Sequence, residues 1–76
     1  EEKVSNILVY PNPFKNKLNI QTSGELFYMI YDILGNLIES GQCVNVVEAG
    51  ERLKPGSYIL RLNGPTGTKI LNILKN

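Results

Sequence analysis

The residue pattern predicts an all-β fold, an immunoglobulin-like antiparallel β-sandwich of about seven short strands. Apolar and polar residues alternate in short runs such as Tyr58, Leu60 and Leu62, the two-residue period of a half-buried strand. Gly, Pro and Asn bound these runs about every ten residues, as turns between short strands require. Leu53-Lys54-Pro55-Gly56-Ser57-Tyr58 suits a tyrosine corner. There Pro55 pre-sets a turn, Gly56 takes positive φ, and the Tyr58 hydroxyl bonds back to a backbone group a few residues upstream.

The first strand is expected over residues 6–10, where Val9-Tyr10-Pro11-Asn12-Pro13-Phe14 ends it abruptly. The second covers residues 17–21 with Leu18 and Ile20 inward, and the third residues 26–31. Asp32-Ile33-Leu34-Gly35-Asn36 then reads as a tight hairpin, its carboxylate bonding backbone amides while Gly35 turns left-handed. A fourth strand is expected over residues 37–42, a fifth over 43–47, and a polar crossing at Glu48-Ala49-Gly50-Glu51. The sixth strand (58–63) and the seventh (68–75) should pair through a turn at Gly64-Pro65-Thr66-Gly67.

The third strand is apolar on both faces, with Phe27, Met29 and Tyr31 on one and Tyr28 and Ile30 on the other. A two-layer sandwich covers only one face. The other is then an exposed stripe or a contact patch for a partner or a neighbouring domain.

A length of 76 residues makes one domain, and 42% hydrophobic with 20% charged residues is too apolar for a disordered tail. Eight Lys and Arg are scattered among seven carboxylates for a net charge of +1, without the clustered footprint that nucleic acid or a polybasic membrane anchor needs. No apolar run approaches the about 20 residues of a spanning helix. The single Cys43 excludes an intrachain disulfide and reads as a half-buried strand residue. The chain starts at Glu1 with no Met and no leader, so it reads as a segment of a longer parent, with residues 1–5 the end of a linker and residues 6–76 the domain. An export signal would lie upstream.

Catalytic chemistry is missing. There is no His to act as base or ligand, and Glu1, Glu2, Glu25, Asp32, Glu39, Glu48 and Glu51 show no paired arrangement. One Cys without His does not make a zinc site, and Glu48 with Glu51 lacks the repeating Asp and Asn pattern of a calcium loop. Residues 64–67 lack the Lys and helix of a phosphate loop. No catalytic, metal or cofactor-binding residue is expected, and the chain is read as a non-enzyme that works by what it presents.

Taken in order, Tyr10-Pro11-Asn12-Pro13, the Leu18 and Ile20 strand, Ile30-Tyr31-Asp32 with Gly35, Leu53 with Pro55-Gly56 and Tyr58, and a Lys-containing final strand resemble the C-terminal sorting domain of type IX secretion in Bacteroidota. The resemblance covers about residues 8–75. It implies a compact immunoglobulin-like sandwich at the end of a secreted enzyme or adhesin. Such a parent crosses the periplasm, is recognised by an outer-membrane translocon or its shuttle, and is clipped by a sortase-like cysteine peptidase before release or surface anchoring.

Carried over by position, Tyr10, Pro11, Asn12 and Pro13 match the family's first motif, Asp32 and Gly35 its middle turn, and Pro55, Gly56 and Tyr58 its late turn. Thr68, Lys69, Ile70, Leu71, Asn72, Ile73, Leu74 and Lys75 match the terminal strand that carries recognition. Phe14 departs from the small polar residue that often follows the first motif. The family's parity places Tyr28 and Ile30 in the core and leaves Phe27, Met29 and Tyr31 outside, whereas plain counting of apolar residues favours the opposite; the family's parity is adopted, and a partly exposed aromatic face is expected.

Strand geometry supplies a mechanism, because an edge strand offers unpaired donors and acceptors to which a receptor adds a strand of its own. Lys69 and Lys75 would supply charge at either end. The same edge also allows self-association. The rival reading is a generic immunoglobulin- or fibronectin-like binding or spacer module of a secreted hydrolase, with Phe27 and Tyr31 as a platform for carbohydrate.

Overall fold

The computed structural model describes residues 7–76, so the expected linker at residues 1–5 and the start of the first strand lie outside the described residues. Strands β1 (Leu8–Tyr10), β2 (Leu18–Tyr31), β3 (Leu37–Ala49), β4 (Gly56–Gly64) and β5 (Gly67–Lys75) build one five-stranded antiparallel sheet. β2 is its centre, pairing β3 along one side and first β1, then β4, along the other, while β5 completes the path beyond β4.

Five strands replace the seven expected. The second and third expected strands are one continuous β2, and the fourth and fifth one continuous β3, which also takes in Glu48 and Ala49 from the expected polar crossing. Thr22-Ser23-Gly24 looks like a turn in sequence but forms a bulge. Gln21 faces Val46 and Glu25 faces Val44, so four steps on β2 match two on β3. Gly24 at φ 113° and Asn45 at φ 70° take the left-handed backbone this requires, which Gly and Asn tolerate best. The offset of two residues keeps the inward parity on both strands, while the bulge bends them and curls the sheet. All described strands are hydrogen-bonded into this single sheet, with no separate second layer among the described residues.

The concave side of the curl is the core. Leu18 and Ile20 from one half of β2 join Leu26, Tyr28 and Ile30 from the other, with Cys43, Leu60, Leu62 and Ile73, all nearly or fully buried. Tyr28 and Ile30 therefore point inward, and Phe27, Met29 and Tyr31 occupy the opposite face. Phe14 is also fully buried, although it lies in the irregular segment between β1 and β2.

Candidate recognition strand

β5 is held by its hairpin with β4, closed where Gly64 faces Gly67 across Pro65 and Thr66. Just inside the turn, Thr68 Oγ1 donates to Asn63 Oδ1 at 2.8 Å, a cross-strand pair that fixes the register. Side chains then alternate. Lys69, Leu71, Ile73 and Lys75 share the side of Leu62 and Leu60, whereas Thr68, Ile70, Asn72 and Leu74 line the outer face. Ile73 is buried and Leu71 packs partly against the core; Thr68, Lys69, Asn72 and Leu74 are exposed, and Ile70 most of all the hydrophobic residues here, at 64%.

Lys75 does not present a charge. It is buried, its Nζ donates to the Gly50 and Glu51 carbonyls at 2.9 Å each, and it lies 5.7 Å from the centroid of the Phe14 ring. Of the two lysines expected to flank the strand, Lys69 is the exposed one.

The end of β5 is strapped from outside by the segment around Asn12. The Asn12 side chain imitates a neighbouring strand, its Nδ2 donating to the Asn72 carbonyl at 2.9 Å and its Oδ1 accepting from the Leu74 amide at 3.1 Å. Phe14 continues the pattern with backbone atoms, donating to the Leu74 carbonyl and accepting from the Asn76 amide, both at 2.9 Å. Because the even-numbered residues bond outward here, ladder alternation turns the N–H and C=O of Thr68 and Ile70, and the Asn72 N–H, away from β4 as well. No described backbone group pairs with them. β5 is thus half sealed and half open.

The other motif residues act locally. Asp32 Oδ1 accepts from the Leu34 and Asn36 amides at 2.9 Å, Oδ2 accepts from Asn36 Nδ2 at 3.0 Å, and Gly35 takes φ 90°. The side-chain bond from Asn36, backed by these amides, holds the carboxyl below the usual carboxylate range. Pro55 and Gly56 lead into β4, and the Tyr58 hydroxyl donates to the Lys54 carbonyl at 2.6 Å, the bond expected of the corner. Tyr10 and Pro11 end β1, the Tyr10 hydroxyl reaching Gln21 Oε1 at 3.3 Å, and Pro13 places Phe14. In the outward stripe Phe27 is 54% exposed, while Met29 and Tyr31 are half-buried and the Tyr31 hydroxyl lies 3.5 Å from Met29 Sδ.

One polar network inside the curl was not anticipated. The Tyr28 hydroxyl donates to Glu39 Oε2 at 3.0 Å, and the same oxygen accepts from the Gly50 amide at 3.1 Å. Burial first, then the bond to Glu39, pushes Tyr28 up to about 12. Cys43 Sγ lies 3.5 Å from the Ile20 carbonyl, and burial raises its pKa. These bonds tie β2 to β3 and to the Gly50 loop.

Among the described residues no three of His, Cys, Asp and Glu come together as a metal site. What the molecule presents is a strand whose lower half is clamped and whose upper half is open. The sequence model of the secretion system C-terminal sorting domain matches residues 8–76. The chain belongs to that family. Neither a curated protein nor a solved structure matches it. As a sorting domain it serves as the type IX secretion signal that sends a cargo to the cell surface or beyond, and the type IX machinery recognises it in that role. The match favours this over the generic binding module.

Besides the Tyr28 network and the buried Phe14, sequence reasoning missed the inward Lys75, the Asn12 clamp, and Gly41, opposite Tyr28. Gly41 was the legible one, a glycine inside a strand being a mark of close approach.

Proposed function

We propose that the chain is a passive export tag carried at the end of a larger secreted protein, with residues 1–5 as linker and residues 6–76 as the folded tag. The tag performs no reaction. Its cargo crosses the periplasm, the outer-membrane translocon or its shuttle reads β5, and a sortase-like cysteine peptidase removes the tag at the surface. The family match carries this reading, and the exposed part of the terminal strand supports it: Thr68, Lys69, Ile70, Asn72 and Leu74 are open to a receptor. Leu71, Ile73 and Lys75 serve by holding that strand in place. We regard the curled sheet as a single-sheet counterpart of the immunoglobulin-like sandwich, since the corner bond of Tyr58 is kept.

Removing residues 69–76 from the full-length parent tests the assignment. Cargo should accumulate in the periplasm, and normal surface delivery of the truncated parent would reject it. Because truncation also removes Ile73 and Lys75 from the core, Lys69→Glu with Ile70→Asp serves as a folded control. It should reduce surface delivery while the circular dichroism spectrum stays that of the parent.

A further inference from the structure

We infer that the outer edge of β5 over residues 68–72 is a strand-addition site for an extended, acidic-apolar segment of a partner protein. The inference rests on the export-tag reading for its purpose, but its geometry belongs to this chain alone.

The edge has the donors and acceptors for such an addition. The N–H and C=O of Thr68 and Ile70 and the N–H of Asn72 face outward, and the intrachain ladder with β4 does not use them. The site has a defined lower limit, because the Asn72 carbonyl and the Leu74 backbone are already taken by Asn12 and Phe14. A partner strand therefore enters from the hairpin end and stops at Asn72. Ile70, 64% exposed at the centre of the stretch, offers it an apolar contact.

Charge selects the partner. Residues 52–76 contain Arg52, Lys54, Arg61, Lys69 and Lys75 and no Asp or Glu. Two of these cations lie near the open edge, Lys69 on β5 itself and Arg61 one strand further in on β4, on opposite faces. Arg61 stands directly across from Ile70 on the outer face, and Lys69 lies on the other, both exposed. Lys75 is withdrawn into the core. The carboxylates of β2 and β3 lie elsewhere: Glu25 accepts from Gln42, Glu39 from Tyr28 and Gly50, and Glu48 pairs with Lys17 at 2.8 Å. A strand laid along β5 sets side chains directly beside Lys69 on one face and, on the other, one strand beyond Ile70 from Arg61, so acidic residues among apolar ones fit the local positive field and basic ones are repelled.

The test is an amide-resolved NMR titration of this chain with a synthetic peptide alternating valine, threonine and glutamate, and with its lysine-for-glutamate counterpart. The glutamate peptide should shift the amides of residues 68–72, and the lysine peptide should bind roughly tenfold more weakly or not at all, as two exposed charge pairs allow. Equal response to both peptides, shifts centred on β3, or no response to either would overturn the inference. Ile70→Pro removes one outward amide that the fold does not use, as an edge strand tolerates. It should abolish the titration while leaving the melting curve in place, and retained binding would count against the site. If that variant fails to fold, R61E with K69E supplies the decision, since it should transfer preference to the lysine peptide, and unchanged preference overturns the charge argument. None of these measurements involves export, so their failure would leave the truncation test standing.

Discussion

Gly41 faces Tyr28 directly across the β2–β3 ladder, so closely that a β-carbon on Gly41 would stand 2.7 Å from the Tyr28 ring. The absence of a side chain there lets the ring lie flat against the β3 backbone and turn its hydroxyl to Glu39, two residues away on the same strand. Gly41→Val must therefore push the ring outward or bend the strand. Overpacking of this kind costs about 1–3 kcal/mol, to be read from the urea midpoint with a loss of near-ultraviolet dichroism.

The Tyr28 network also predicts behaviour in alkali. Tyr28 is raised from 10.0 to about 12 in the fold, chiefly by burial and then by Glu39. Between those values the unfolded chain releases a proton that the folded chain keeps, so stability is full below about pH 10 and declines as pH rises toward 12. Denaturant midpoints at about pH 9 and about pH 11 should differ in that direction, and Tyr28→Phe should flatten the difference.

Lys75 and Lys69 should separate in a stability assay although both lie on β5. Lys75→Met leaves the Gly50 and Glu51 carbonyls without their donor, at a cost of about 1–3 kcal/mol. Lys69→Met removes an exposed charge and should stay within about 0.5 kcal/mol of the parent. Chemical denaturation of the two variants side by side makes the comparison.

The clamp on β5 can be loosened stepwise. Asn12→Ala loses the bonds to Asn72 and Leu74, which should cost about 1–2 kcal/mol and speed hydrogen exchange at the Leu74 amide ahead of global unfolding. Phe14→Ala empties a fully buried site, at about 3–5 kcal/mol, enough to bring a domain this small close to unfolding at room temperature.

Cys43 is fully buried, and burial raises its pKa, so its thiol should be inert to an aqueous thiol reagent at neutral pH. Colour development with Ellman's reagent should wait for denaturant. Immediate reaction in buffer would mean that the β2–β3 pairing around it opens readily.

Local chemistry was legible in particular residues. The Asp32 hairpin, the Tyr58 corner and the β4–β5 turn each follow from a few neighbouring residues, and the structure contains all of them; the inward parity of Tyr28 and Ile30 came instead from the family resemblance, against the count of apolar residues. The break expected between residues 21 and 26 is a bulge instead, because a bulge and a strand break ask for the same small and polar residue types and only the partner strand decides between them. Phe14 and Lys75 could not be read because their neighbours in sequence are polar or exposed; their burial comes from each other and from Gly50, which lie far apart in the chain.

By itself the sequence determined that this is a β fold whose ordered turn motifs mark it as a sorting domain, since period and turn chemistry are properties of short stretches. Tertiary structure alone decided that the strands join into one curled sheet and that half of β5 is sealed. Pairing partners and edge exposure are set by contacts between distant segments, and Asn12 meets Leu74 only after the sheet has folded.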